Sequence, residues 1–266
     1  MTIPVAARQF FIADEGYKIV YADLSQAEAR IMAYLSGCQG LLAAFETSDA
    51  YKMVAAWMFD KPMEEVTKDE RFLGKRCVLG LLYGMGSRLW RTQINVDKGY
   101  DYISQPEADN LYRLFFESFP EIRRYHRTIE QTVRRDHSLK SLILERPRTF
   151  RPRNGRWEHH TLLEGNNFVP QATVPEIVNY AVLQIIEETD PDEVQLLGQI
   201  HDAWFGQVKL SDNFEGNIGT IRAALTRSIP IVDVFGERRD LTIPVDVAVG
   251  DNWGDYDAKT NPGGLR

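Results

Sequence analysis

Two aspartates about 180 residues apart are the side chains of this sequence most suited to joint chemistry. Asp23 ends the run Tyr17-Lys-Ile-Val-Tyr-Ala-Asp23, and Asp202 ends Leu196-Leu-Gly-Gln-Ile-His201-Asp202. Each reads as a carboxylate at a strand end. Oxygen ligands of this kind suit Mg2+, which takes one or two carboxylates together with water and substrate phosphates. Two such ions about 3.5–4 Å apart can activate an attacking hydroxyl and stabilise a leaving group. Between the aspartates, Arg71, Lys75, Leu79 and Tyr83 recur every four positions and so line one helix face. Arg71 offers a planar fork and Lys75 a point charge to the β- and γ-phosphates of a triphosphate. Tyr83, beside Gly84, offers a flat surface to a base. The combination fits template-directed phosphoryl transfer. Gly74, Gly80 and Gly84 fall in the same stretch. An interior glycine costs roughly 1 kcal/mol against alanine, so close approach of a backbone or ligand is expected here.

Local pattern predicts the elements that carry these groups. Residues 17–23 alternate and are β-branched, which predicts a strand ending at Asp23. Ser25 with Glu28 three residues on has the form of a capping box, opening a helix that stops near Gly37. Asp49 opens a helix to about Phe59, and Thr67 caps one from about Lys68 to Tyr83. Ser104 with Pro106 starts another that ends near Phe119. Glu121 to about His137 is helical and basic. Residues 138–157, with Arg146 and Arg148, read as a hairpin or extended basic loop. Gln171 to about Thr189 is helical, with Pro175 in its first turn. Val194–Ile200 and Ala203–Val208 form a β-hairpin with His201-Asp202 at its tip. A helix from about Asn213 to Ser228 and a strand at Thr242–Val249 follow, and residues 259–266 read as a frayed tail. The fold class is α+β: a small antiparallel sheet with packed helices and a largely helical insertion between the two aspartates.

Composition narrows the setting. The chain has 266 residues, 44% hydrophobic and 26% charged, as in ordinary globular proteins. No apolar run reaches the roughly 18 residues of a membrane span, and no signal-peptide core opens the chain. Cys38 and Cys77 make no disulfide framework, which suits a reducing cytosol. The net charge is −7, yet residues 113–156 hold twelve Lys or Arg against five acids, a net of +7 that leaves −14 elsewhere. That asymmetry suggests one face for a polyanion and another for solvent or metal. Gln26, Glu28 and Arg30 follow Asp23 along its helix. Asn166, Asn167 and Gln171 have the chemistry to meet minor-groove acceptors. His159 and His160 are adjacent and face apart, so they make a poor metal pair.

These segments together resemble the polymerase domain of family A DNA polymerases, the bacterial DNA polymerase I type, from Ile3-Pro4 to the strand Pro244-Val-Asp-Val-Ala-Val-Gly-Asp-Asn-Trp253. Asp23-Leu-Ser-Gln-Ala-Glu-Ala-Arg30 resembles motif A. Arg71, Lys75, Leu79, Tyr83 and Gly84 resemble motif B on the fingers O-helix, and His201-Asp202 resembles motif C. The resemblance implies palm at residues 1–48 and 138–258, fingers at 49–137, and a flexible tail at 259–266. It implies primed template DNA and dNTP as partners, no membrane, and two Mg2+ ions that Mn2+ can replace. Asp23 and Asp202 would hold the metals, and Lys75 would be a catalytic acid for pyrophosphate. Gln26, Glu28, Arg71, Lys75, Leu79, Tyr83 and Tyr51 would bind the nucleotide, with Glu28 as the gate against a ribose 2′-hydroxyl. Arg30, Asn167, Gln171, His201, Arg146 and Arg148 would contact DNA. A cytoplasmic setting in a bacterial or phage-infected cell is expected.

Several positions depart from that family's pattern. Leu79 stands where an aromatic is usual, Ala203 where motif C continues with Glu, Leu163 where an arginine is frequent, and Tyr51 where a histidine often meets the triphosphate. The family's thumb, with its Thr-Gly-Arg-Leu-Ser segment, and its exonuclease would lie upstream of Met1. A truncated or naturally split enzyme is therefore expected, with a separate chain supplying those parts, and Met1 before Ile3-Pro4 favours a true start. Without a thumb the hold on duplex is weak and processivity poor. Two rivals remain: a phage-type single-subunit RNA polymerase, opposed by Glu28, and a catalytically weak subunit that binds DNA or a partner.

Overall fold

The structure is a computed structural model, and it describes residues 3–47, 49–99 and 102–266. In chain order the elements are α1 (Val5–Arg8), β1 (Tyr17–Leu24), α2 (Ala27–Ser36), α3 (Gln39–Phe45), α4 (Ala50–Phe59), α5 (Lys68–Leu81), α6 (Ser87–Lys98), α7 (Gln105–Ser118) and α8 (Pro120–Asp136). There follow β2 (Ser138–Lys140), β3 (Pro147–Thr149), α9 (His159–Glu188), β4 (Val194–Ile200), β5 (Ala203–Lys209), α10 (Phe214–Leu225), β6 (Ile229–Val232), β7 (Arg238–Leu241) and β8 (Val245–Gly250). The class is α+β, as expected. The chain divides into two compact units, Met1–Ala27 with Thr173–Ile229 and Thr242–Arg266, and Glu28–Ala172 with Pro230–Leu241.

The first unit is built on an antiparallel sheet in the order β4-β5-β1-β8. Because side chains alternate across a strand, one face of β1 presents Ile19, Tyr21 and Asp23, and the other presents Val20, Ala22 and Leu24. Both sets lie largely inside: Ile19 packs with Phe205 and Trp253, while Val20, Ala22 and Leu24 are buried and α10 packs on the sheet. Gly206 is required here, since a Cβ would meet the Trp204 ring at 2.2 Å and the Gln195 carbonyl at 2.4 Å. The second unit is helical, with α4 packed on α5, α6 and α7 beside them, and α7 on α8. The β2–β3 and β6–β7 hairpins are its only described strands.

Several expectations are corrected. The helix does not open directly after Ser25: Gln26, at φ 55° in a left-handed turn, stands between them, and α2 starts at Ala27. α9 starts at His159 rather than Gln171 and carries both Pro170 and Pro175 inside its 30 residues. Pro170 removes the N–H that would bond the Asn166 carbonyl, and the Tyr125 hydroxyl donates to that carbonyl at 3.4 Å instead. Residues 259–266 are not frayed: Arg266 and Val249 exchange backbone hydrogen bonds at 3.0 and 3.2 Å, and the Leu265 N–H donates to Gly254 at 2.7 Å. Local pattern did not reveal α1, α3, α6 or the β6–β7 hairpin, the last fastened by the Val234 N–H to the Leu35 carbonyl at 3.0 Å.

Candidate active site

Strand register brings the two aspartates together within the first unit. In β1, Asp23 pairs across with Ala203 of β5 on one side and with Asp246 of β8 on the other. Asp202 precedes Ala203 in the β4–β5 turn, and its carbonyl accepts the Leu24 N–H at 3.2 Å. His201 holds φ 55° in that turn, which aims the chain back so that Asp202 meets Asp23. The two carboxyls come within hydrogen-bonding range, and the Asp23 acid is pushed from 3.8 up to about 6. Burial is the largest cause, followed by the Asp202 charge and hydrogen bond, then Asp246; the His201 ring opposes the shift. With the deprotonation of Asp23 made costly beside Asp202, a cation at the pair would relieve it. Asp246 was missed from sequence. Its only signal is strand register, which cannot be assigned before pairing is known. Among the described residues no three Asp, Glu, His or Cys side chains are gathered as a metal cage; of the hard cations, Mg2+ is the one that needs only one or two carboxylates and keeps ligands for water and phosphate. Burial and the two aspartates also push the Tyr21 phenol up to about 12. Ala203, opposite Asp23 in the sheet, is fully buried, and Gln26 keeps a buried side-chain oxygen without a hydrogen-bond partner.

In the second unit α5 is opened by a capping box between Thr67 and Glu70. Its glycines answer to protein contacts. A Cβ on Gly74 would stand 2.5 Å from the Tyr51 carbonyl, and one on Gly80 would stand 2.9 Å from the Trp90 ring, while Gly84 has φ +80° where the helix ends. The close approach at Gly74 lets Tyr51 reach the cations: Arg71 lies 5.7 Å and Lys75 5.8 Å from its ring centre. Arg71 is already paired, its Nε donating to Asp49 Oδ2 at 2.6 Å. Burial works against the Asp49 carboxylate, yet Arg71 and the Lys52 N–H hold it below its ordinary value. Asp49 as the Arg71 partner was missed, because the contact joins residues 22 apart in sequence. Leu79 is 39% exposed on the same face. The Tyr83 hydroxyl donates to Glu28; burial first, then Glu28, hold that phenol protonated. Asn167, with its amide nitrogen placed to donate, reaches the Tyr83 and Leu163 carbonyls at 3.2 Å each.

The remaining expected DNA contacts are arranged differently. Arg30 is half-buried and donates to the Phe45 carbonyl at 2.9 Å, with its guanidinium over the Phe45 ring. Arg148 pairs with Glu164 at 2.6 Å, Arg146 reaches the Ala172 carbonyl at 3.4 Å, and Gln171 is exposed on α9. No helix among the described residues is long and apolar enough to cross a membrane.

Comparisons with known proteins show the family and the fold. A family model described as DNA polymerase family A matches residues 2–255. The chain is 28% identical to DNA polymerase I, thermostable, of Thermus filiformis over 257 residues, 92% of this chain and 28% of that protein. It is 29% identical to DNA polymerase I of Mycobacterium tuberculosis over 251 residues, 91% of this chain and 26% of that protein. A solved structure, the POL domain of Pol1 from M. smegmatis in complex with DNA primer-template and dNTP, superposes with a TM-score of 0.78 at 26% identity, covering 94% of this chain and 42% of that one. The chain thus spans about a quarter of the length of these curated relatives.

Proposed function

The chain belongs to DNA polymerase family A, and on that premise we propose that it is the catalytic part of a DNA-directed DNA polymerase. The observation that carries this reading is the meeting of the Asp23 and Asp202 carboxyls at adjacent strand ends. Asp23 and Asp202 would hold divalent cations, two Mg2+ or Mn2+, which supply Lewis-acid activation of the primer 3′-hydroxyl and charge neutralisation at the triphosphate. The raised pKa of Asp23 supports this, since two carboxylates at one point gain most from a cation.

The chain's own residues take the remaining roles. Arg71 and Lys75 would grip the phosphates, Arg71 by exchanging Asp49 for a phosphate oxygen, and Lys75 would protonate pyrophosphate. Tyr51 would bind alongside them, its ring already against both cations. Glu28, fixed by the Tyr83 hydroxyl, would fill the space of a ribose 2′-hydroxyl. Gln26, Leu79 and Tyr83 would line the nucleotide, while Arg30, Asn167, Gln171, His201, Arg146 and Arg148 would act on primer and template. Residues 49–137 would serve as fingers and residues 1–48 with 138–258 as palm.

Primer extension tests the reading. Asp202→Ala should fold normally and lose incorporation by at least about 10³-fold, or roughly 4 kcal/mol of barrier. Near-normal extension by that variant would refute the assignment. Preferential incorporation of rNTP would point instead to an RNA polymerase.

A further inference from the structure

At Asp23 the central strand β1 has a neighbour on each side, and the two differ. On β5 the residue directly opposite Asp23 is Ala203; on β8 it is Asp246. Directly opposed residues of antiparallel strands project from the same face of a sheet. Ala203, Asp23 and Asp246 therefore form one row across β5, β1 and β8, all within the first unit. Ala203 stands where the motif it resembles continues with Glu, and an acid there would border Asp23 from the β5 side. The row has no acid on that flank and one on the other.

Asp246 differs from an ordinary surface carboxylate. Like charges directly opposite each other in a sheet are unfavourable, and Asp246 is close enough for its charge to act on Asp23. It is exposed and has no hydrogen bond or ion pair among the described residues, so no described cation offsets it. Its place is nevertheless fixed: Val245 pairs with Leu24, Val247 pairs with Ala22, and the Ser25 N–H donates to the Pro244 carbonyl at 2.8 Å. Among the described residues no three acids are gathered as a metal cage, so Asp246 does not complete a ligand set with Asp23 and Asp202. Mg2+ held by one or two carboxylates keeps several waters. An acid just outside the ligands can hold such a water by accepting its hydrogen bond.

We propose that Asp246 is a positioning residue for the cation at the aspartate pair, accepting a hydrogen bond from a water on that cation, on the side of Asp23 away from Ala203. The proposal rests on the metal-binding role given above to Asp23 and Asp202. Because β8 is an edge strand, a charge there also deters pairing with other chains. A charge with that role alone would leave the cation unaffected.

Mn2+ binding by the whole chain, without DNA or dNTP and read by electron paramagnetic resonance, tests the proposal. Asp246→Asn should weaken Mn2+ binding about tenfold, while Asp246→Glu should keep most of the wild-type affinity. Asp212→Asn removes the same charge elsewhere in the first unit and should leave binding unchanged. In primer extension, Asp246→Asn should be slow at low Mg2+ and recover at high Mg2+, whereas Asp202→Ala should not recover. Wild-type Mn2+ affinity in Asp246→Asn, or equal weakening by Asp212→Asn, overturns the proposal and leaves the aspartate pair standing as the metal site. Absence of Mn2+ binding by the wild type, or binding that Asp23→Asn does not weaken, sinks the metal reading of the pair and this proposal with it.

Discussion

The acidic end of the sheet and the cationic face of α5 handle charge in opposite ways. At the sheet end, like charges are held together: Asp23 faces Asp202 and Asp246, and its proton is bound more tightly than in water. On α5 the charge is already met by partners, with Arg71 on Asp49 and both Arg71 and Lys75 over the Tyr51 ring. The first arrangement stores unfavourable energy until a cation arrives. The second is stable without ligand and must exchange one anion for another. Removing a charge should therefore have opposite signs in the two places.

The largest effect falls on activity. Asp23→Asn should reduce dNTP incorporation by at least about 10³-fold, or roughly 4 kcal/mol, while raising the melting temperature in metal-free buffer. A variant that loses both activity and stability would break the contrast, since the acid pair would then be structural. Next comes packing. Gly74→Ala places a Cβ 2.5 Å from the Tyr51 carbonyl and 3.1 Å from the Ala55 backbone. Overpacking of about 1–3 kcal/mol outweighs the roughly 1 kcal/mol that alanine gains over glycine in a helix. Destabilisation of about 1–2 kcal/mol is expected in a thermal melt. It should bring a raised KM for dNTP, because Tyr51 would be displaced from the cations. A neutral Gly74→Ala would show that α4 and α5 do not need this approach.

Smaller again is the charge test on α5. Arg71→Ala should destabilise by about 0.5–1 kcal/mol, as a partly exposed pair does, and should raise KM for dNTP about tenfold. Asp49→Asn should leave stability slightly lower but should not raise KM, since it frees Arg71 for phosphate. If Asp49→Asn and Arg71→Ala raise KM equally, Asp49 positions Arg71 rather than standing in for an anion.

What the sequence made legible follows the range of the interaction. β1, the β4–β5 hairpin and the helix starts at Thr67 and Ser104 are written in alternation and in contacts three residues long, the last two closing as capping boxes in the structure. The meeting of Asp23 and Asp202 was legible because each ends a recognisable strand. Contacts across tens of residues were not. The carbonyl freed by Pro170 is met by Tyr125 from 41 residues away, so α9 looked twelve residues shorter at its start. Asp246 needs the β1–β8 register, and Asp49 needs the packing of α4 on α5. The glycines of α5 announced close approach correctly, but no local pattern could say that Tyr51 and Trp90 were what approached.

The subtlest effect is the pH dependence of the acid pair. The Asp23 acid moves from 3.8 to about 6, so the folded protein binds this proton more tightly than the unfolded chain does. Stabilisation from that proton is complete below about pH 3.8 and is lost as pH rises through about 6. Above about pH 6 Asp23 is charged beside Asp202 and the repulsion is fully felt. Asp23→Asn should therefore exceed wild type in stability by about 1 kcal/mol near pH 8, a figure kept small because the site is partly open to solvent. The advantage should shrink on acidification and vanish near pH 4. Millimolar Mg2+ at pH 8 should reverse the order by stabilising wild type alone. A stability gap independent of pH would mean that the two carboxyls are held too far apart to share a proton.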